Sequence, residues 1–152
     1  MFLAANEPHA YLDGNCVECM ACSDNVVRAG LTPKFKDVNQ LCDMLTYSTR
    51  DAAQQLFEPV EQDGALVYRV AIDDFIVARS QVQGAGRLAP VDGASILLVT
   101  EGHGTAPQHA TDLKPGHVCF LAANTGVYAE KNEMQKGQMK AKIGKSNAVL
   151  CV

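Results

Sequence analysis

Short apolar runs separated by turn-forming residues are the feature of this sequence that most restricts its fold. Within the runs, apolar residues alternate with polar ones or form brief uninterrupted stretches, a pattern typical of β-strands. Asp13-Gly14-Asn15 and Ser23-Asp24-Asn25 separate the early runs with residues that accept the backbone angles of tight turns. The pattern predicts a mainly β fold with an early meander over residues 9–29, and strands at residues 1–4, 9–12, 16–22, 26–29, 66–72, 75–82, 95–100, 118–122 and 148–152.

Two segments depart from the strand pattern. Apolar residues at helical spacing follow Asp37, a suitable N-cap residue, and Gln40 completes a start that resembles a capping box. We therefore expect one helix over residues 37–47. The polar, glycine-punctuated segment 131–145 predicts a solvated loop.

Composition narrows the class of protein. The chain has 152 residues, of which 47% are hydrophobic, so it is long enough to form one globular domain with a core. Its net charge of -4 and the lack of clustered Lys and Arg argue against nucleic-acid binding. The apolar runs are far shorter than the roughly 20 residues that span a bilayer, and the N-terminus lacks the charged region of a signal peptide. We therefore expect a cytoplasmic protein without a membrane partner, whose six cysteines are reduced.

The pentapeptide FLAAN occurs twice, at residues 2–6 and at residues 120–124. Each copy is an apolar run that ends in Asn, which suggests two related β-barrels of the jelly-roll type that each supply the same strand. In this register His9 aligns with Val127 and Tyr11 aligns with Ala129. The second copy therefore lacks the chemistry of that His and Tyr.

Cys16, Cys19 and Cys22 have the C-x2-C-x2-C spacing of some iron–sulfur and zinc ligand sets. On a strand, however, side chains alternate between faces, so Cys16 and Cys22 would point to one side and Cys19 to the other. Three thiolates arranged in this way do not converge on one metal. We interpret the three residues as small hydrophobic side chains.

A group of polar side chains lies within the predicted meander and just after it. Hairpin connections would bring these strands side by side, and a polar sheet face is costly unless its groups are paired or ligate something. A site is therefore one interpretation, while the other is an ordinary surface or core role for each residue, and the residues alone leave both open. The group consists of His9, Tyr11, Glu18, Asp24, Arg28 and Lys34.

The segment 6–34, which contains SDNVVRAGLTPK at residues 23–34, closely resembles the signature of type I mannose-6-phosphate isomerases. These are zinc-dependent enzymes of the cupin (jelly-roll) class. The resemblance is strongest over residues 1–37 and continues more weakly to the C-terminus. It implies the C-terminal portion of such an enzyme, a mainly β cupin or jelly-roll type barrel with one short helix. Residues 1–35 would be the closing strands of a second, catalytic barrel that is incomplete, and residues 36–152 the C-terminal jelly-roll domain.

Residue roles follow from the same resemblance, for an enzyme that interconverts mannose 6-phosphate and fructose 6-phosphate. It makes His9 a ligand of one zinc ion and Arg28 the catalytic arginine, and it places the remaining four residues around the sugar phosphate: Lys34, Tyr11, Glu18 and Asp24. The family's other zinc ligands, a Gln, a His and a Glu, come from earlier strands and have no match here. We therefore expect the chain alone to bind zinc weakly and to lack isomerase activity.

Two other functions remain open at this point. Residues 36–152 could form a non-catalytic cupin-like module that binds a partner or a small sugar, or a packing domain that braces the catalytic barrel. In addition, strands within residues 1–30 that lack neighbours would expose unpaired edges, which predicts self-association or local disorder there.

Overall fold

The computed structural model describes residues 1–21, 26–56, 58–131, 139–145 and 148–151. This part of the chain is mainly β, with one α-helix, α1 (Val38–Met44), and short 3-10 helices at Ala52–Gln55 and Pro107–His109. None of these helices is long and apolar enough to cross a bilayer. The strands are β1 (Glu18–Ala21), β2 (Val60–Gln62), β3 (Ala65–Arg69), β4 (Ile76–Val82), β5 (Ala85–Leu88), β6 (Ser95–Glu101), β7 (Gly104–Ala106), β8 (Thr111–Leu113), β9 (Val118–Leu121), β10 (Val127–Lys131), β11 (Met139–Lys145) and β12 (Ala148–Cys151).

Two antiparallel sheets enclose the core. One has six strands in the order β2-β3-β4-β11-β6-β9, and the other has four strands in the order β5-β10-β7-β8. Side chains from strands of both sheets are buried between them, as in a β-sandwich. The buried cluster between the sheets consists of Val82, Leu88, Leu97, Val99, Ala106, Leu113, Leu121, Val127 and Ala129.

The expectation of a mainly β fold with one helix is confirmed. The strands predicted at 16–22, 66–72, 75–82, 95–100, 118–122 and 148–152 correspond to β1, β3, β4, β6, β9 and β12. Six other strands were not predicted. Most of them are short or contain glycine or charged residues, so they carry little apolar periodicity. Their positions depend on partners elsewhere in the chain: β2, β5, β7, β8, β10 and β11.

The prediction of a loop over residues 131–145 was wrong, because β10 extends to Lys131 and Met139–Lys145 forms β11. Strand β11 pairs antiparallel with β4 on one side and with β6 on the other. Met139, Ala141 and Ile143 alternate with lysines, which is the period-2 pattern of a strand. The polar composition concealed this pattern, while hydrogen bonding to two neighbours places the segment inside the sheet.

The early meander was also wrong within the described residues. Residues 1–4, 9–12 and 26–29 are not strands, and β1 pairs with β12 at the far end of the sequence, with Glu18 opposite Cys151. A strand requires a partner ladder, and the first residues find other acceptors instead. The amide of Phe2 donates to the Gln55 carbonyl at 3.1 Å.

The two FLAAN copies share a turn rather than a strand. Asn6 and Asn124 both have positive φ, at 62° and 59°, an angle that Asn tolerates better than most residues. Only the second copy continues from a strand, β9. The repeat therefore indicates a common turn, and the two related barrels stay a prediction.

Helix α1 begins as predicted and ends earlier. The carboxylate of Asp37 accepts a hydrogen bond from the Gln40 amide at 3.0 Å, which satisfies one of the unpaired donors of the first turn. At Leu45 the backbone is extended, so the helix stops after Met44 rather than near residue 47. No residue of α1 is buried, so packing does not prolong it.

Replacing Asp37 with Ala should destabilise α1 by about 1 kcal/mol, because the first turn loses its side-chain acceptor. Since α1 contributes nothing to the core, we expect local fraying rather than global unfolding. Amide hydrogen exchange of Leu41 and Leu45, which bond within this helix, should accelerate about fivefold. Asp43→Ala in the last turn is the control, and equal acceleration in both variants would contradict the capping role.

Candidate functional site

Three of the polar residues singled out from the sequence meet around Tyr11. The rings of His9 and Tyr11 contact edge to face, with centroids 5.7 Å apart and planes at 62°. The Tyr11 hydroxyl donates to Oε1 of Glu18 at 2.9 Å. Glu18 opens β1, and pairing with β12 holds its backbone. Tyr11 thus links an imidazole to a carboxylate.

The orientation of His9 depends on Glu7, a residue that no spacing in the sequence singles out. Nδ1 of His9 lies 3.0 Å from the Glu7 carbonyl oxygen. Because a carbonyl only accepts, Nδ1 carries the proton in this contact and Nε2 is left able to bind a metal. The Glu7 side chain is itself fixed, since it accepts from the Ala4 amide at 3.0 Å and lies 3.4 Å from Nη2 of Arg50. Only the fold reveals this partner.

Two cationic residues flank a turn whose backbone approaches Ala10. Arg28 and Lys34 are both exposed, and among the described residues neither side chain has a hydrogen-bonding or ionic partner. The backbone between them turns at Gly30, whose φ is 61° and whose added Cβ would lie 4.0 Å from that of Ala10. This approach brings the turn beside the residue between His9 and Tyr11. Asp24 lies outside the described residues.

The environment of Tyr11 stabilises its neutral form. Burial of the hydroxyl, then the hydrogen bond to Glu18 and the negative charges of Glu18 and Cys16, raise the pKa of Tyr11 to about 12. Burial is the largest of these causes, and the hydrogen bond to Glu18 is the one that a single substitution can remove. Tyr11 therefore remains a hydrogen-bond donor throughout the neutral pH range.

Changing Glu18 to Gln should lower the pKa of Tyr11 from about 12 toward 10.0, because the amide removes the negative charge but keeps an acceptor. The folded-state pKa is raised, so the stabilisation is complete below pH 10.0 and is lost as pH rises through about 12. It is small, since water screens this exposed pair.

Ultraviolet titration of the tyrosinates measures the shift, and Tyr11→Phe identifies which transition belongs to Tyr11. Glu58→Gln, which changes an exposed carboxylate elsewhere, serves as the control. An unchanged Tyr11 midpoint in Glu18→Gln would show that Glu18 does not set this pKa.

The described residues fit a metal only in part. His9 has the orientation of a ligand, but no group of three or more His, Cys, Asp or Glu side chains in the described ranges could hold an ion. Zinc sites normally use three or four protein ligands. Cys16 is an exposed free thiol that precedes β1, Cys19 lies within β1, and Cys22 is outside the described residues. These residues alone therefore do not make a complete zinc site.

The segment that holds the candidate site exposes several large apolar side chains. No described residue between Met1 and Leu56 is buried, although this segment is rich in large hydrophobic residues. The most exposed are Leu12, Leu31 and Phe35, at 81%, 78% and 85%.

The sequence of this chain is similar to the sequences of enzymes of one kind. No protein-family model matches the chain. It is 49% identical over 137 residues to the mannose-6-phosphate isomerase of Bos taurus, a match that covers 84% of this chain and 32% of that protein. It is 45% identical over 143 residues to the mannose-6-phosphate isomerase of Homo sapiens, covering 88% and 34%.

A solved structure matches the fold as well. The crystal structure of mannose 6-phosphate isomerase from Salmonella typhimurium bound to its substrate fructose 6-phosphate and to zinc has a TM-score of 0.64 and 28% sequence identity. That match covers 80% of this chain and 31% of the crystallised chain. The present chain thus spans about a third of the length of the relatives that it matches.

Proposed function

We propose that this chain, which is homologous to mannose-6-phosphate isomerases over 84% of its length, supplies one side of the active site of such an isomerase. The reaction would interconvert mannose 6-phosphate and fructose 6-phosphate. The observation that carries the proposal is the group around Tyr11, where an oriented His9 and a hydrogen-bonded Glu18 lie together. The segment that holds them, 1–35, would complete a catalytic barrel, and 36–152 would form the C-terminal jelly-roll domain.

Interconversion of an aldose and a ketose moves a proton between C1 and C2 of the sugar through an enediol. Glu18 is the proposed proton carrier, because a carboxylate can take and return a proton at carbon. The Tyr11 hydroxyl occupies Oε1 of Glu18, which leaves Oε2 for the substrate. Tyr11 is therefore a positioning residue, since it orients the carboxylate and does not itself ionise near neutral pH.

Cationic side chains would bind the charges of the substrate. Arg28 offers a fork of donors that cannot readily lose its proton, which suits an oxygen that becomes negative in the enediol. Lys34 would bind the phosphate as a mobile positive charge. Both lie free of described partners and so are available for these contacts. Asp24 would line the same pocket.

His9 would bind zinc through Nε2, because Nδ1 already contacts the Glu7 carbonyl. When bound, zinc would act as a Lewis acid on the sugar oxygens. The described residues offer His9 without a full ligand set, so the remaining ligands would come from the other part of the isomerase fold. Docking of that part would also cover Leu12, Leu31 and Phe35; without it, these exposed side chains favour self-association.

Complementation tests this proposal. The 152-residue chain is mixed with the part of the human enzyme that the match does not cover, and formation of fructose 6-phosphate from mannose 6-phosphate is followed with added zinc. We expect no turnover from either part alone and turnover from the mixture. Bound zinc is counted by mass spectrometry, with His9→Ala as the matched variant. No turnover at any ratio, with both parts folded, would overturn the proposal.

A bracing role for the C-terminal domain is the second candidate. Among the residues whose burial the structure describes, the buried cluster lies between Val82 and Ala129 and includes no residue of the segment around His9. If the mixture stays inactive while the sandwich alone binds the remainder of the enzyme, the bracing role is favoured.

A further inference from the structure

The β-sandwich is incompletely filled at one edge. A cavity of about 150 Å³ opens between the strands β2, β3 and β4 and the segment that follows β5. It lies on the inward face of the sheet, where Ala65 is opposite Ser80 and Val67 is opposite Ala78. These small side chains continue the row that Val82 begins in the core. The cavity therefore results from the sequence of β3 and β4.

Backbone contacts hold the opposite wall in place. Leu88 is 3% exposed and is paired with Val127 of the neighbouring strand. Beyond it, the Val91 carbonyl accepts hydrogen bonds from the amides of Asn124 at 2.8 Å and Gly93 at 3.0 Å. This wall is thus held by strand pairing at Leu88 and by the hydrogen bond between Val91 and Asn124. A pocket of this kind is formed before any ligand arrives.

Polar groups surround the mouth of the cavity. Nη2 of Arg69 donates to Oε1 of Gln62 at 3.1 Å, and Asp63 stands in the tight turn between β2 and β3 with a φ of 51°. Deeper in the cavity, Ser80 is 7% exposed. One cation and one anion give the mouth no net formal charge. Hydrogen-bond donors and acceptors therefore surround the opening of a cavity whose floor is formed by apolar side chains, Val67, Ala78 and Leu88.

We infer that this cavity is a binding site for a neutral monosaccharide or cyclic polyol, separate from the candidate isomerase site. Such a ring presents C–H groups to an apolar floor and hydroxyl groups to mixed donors and acceptors. The balanced mouth gives no preference for a phosphate, in contrast to the exposed Arg28 and Lys34. A cavity of about 150 Å³ is close in size to an apolar cavity that binds benzene, so the ring would fill the floor and its hydroxyl groups would extend into the open mouth.

Nuclear magnetic resonance titration of the isotopically labelled chain tests the inference. D-mannose and myo-inositol should produce saturable shifts at the methyl groups of Val67, Ala78 and Leu88, with dissociation constants on the order of 1 mM. Inorganic phosphate should produce none there. The titration requires no isomerase activity. A negative result would therefore leave the proposed function standing, and failure of the complementation experiment would leave this inference standing.

Three variants sharpen the result. Ala78→Leu fills the cavity and Arg69→Met removes donors from its exposed rim, so each should weaken binding by about tenfold or more. Gln81→Ala, on the outward face of β4, should bind as the unchanged chain does. Arg69→Met alters an exposed residue and so tests the site even if Ala78→Leu fails to fold. No saturable shift, equal binding by all variants, or tighter binding of phosphate at these methyl groups would overturn the inference.

Discussion

Replacing Leu97 with Ala is expected to lower the free energy of unfolding by about 2 to 5 kcal/mol. Leu97 is 1% exposed and lies in β6, between β9 and β11 in the six-stranded sheet. Its side chain enters the cluster shared by both sheets, so truncation removes apolar contact and leaves a cavity that the surrounding strands close only in part. A loss of this size is a large fraction of the stability of an ordinary domain.

Urea denaturation followed by far-ultraviolet circular dichroism measures the effect, since the chain has no tryptophan to report by fluorescence. Phe120→Ala is the matched control. Phe120 lies on β9 in the same sheet but is 74% exposed, so its truncation should change the stability by less than about 1 kcal/mol. Equal losses in the two variants would show that the cluster around Leu97 is not the stabilising core.

In the complemented enzyme, Arg28→Ala should lower kcat by about 10² to 10³. The proposed reason is that the guanidinium stabilises the enediol oxygen, a charge that exists only as the reaction proceeds. Arg28 is exposed and has no described partner, so the substitution should leave the unfolding free energy nearly unchanged. This variant would therefore show a loss of kcat without a loss of folding stability.

Two further variants complete the experiment. Lys34→Ala should act mainly on KM, because phosphate binding is equally strong before and during the reaction. Arg87→Ala changes an exposed arginine of β5 in the four-stranded sheet and should leave kcat unchanged. Unaltered kcat in Arg28→Ala, or the same loss in Arg87→Ala, would contradict the catalytic role of Arg28.

Structural features that depend on residues close together in the sequence were predictable. Asp37 caps the helix as expected because the donor that it satisfies lies three residues away. The strands β3, β4, β6 and β9 were identified because each contributes side chains to the core, which favours either alternation or a short apolar run in the sequence. Of the candidate site, the proximity of His9, Tyr11 and Glu18 was anticipated, although not on paired strands.

The sequence by itself thus determined the mainly β class and the helix start, and it anticipated the proximity of His9, Tyr11 and Glu18. Only the tertiary structure decided that β11 lies between β4 and β6, that β1 pairs with β12, and that Glu7 contacts both His9 and Arg50. The physical reason is that backbone hydrogen bonds are the same for every residue. A strand's partner is therefore selected by the packing of the whole chain, which no local pattern of side chains records.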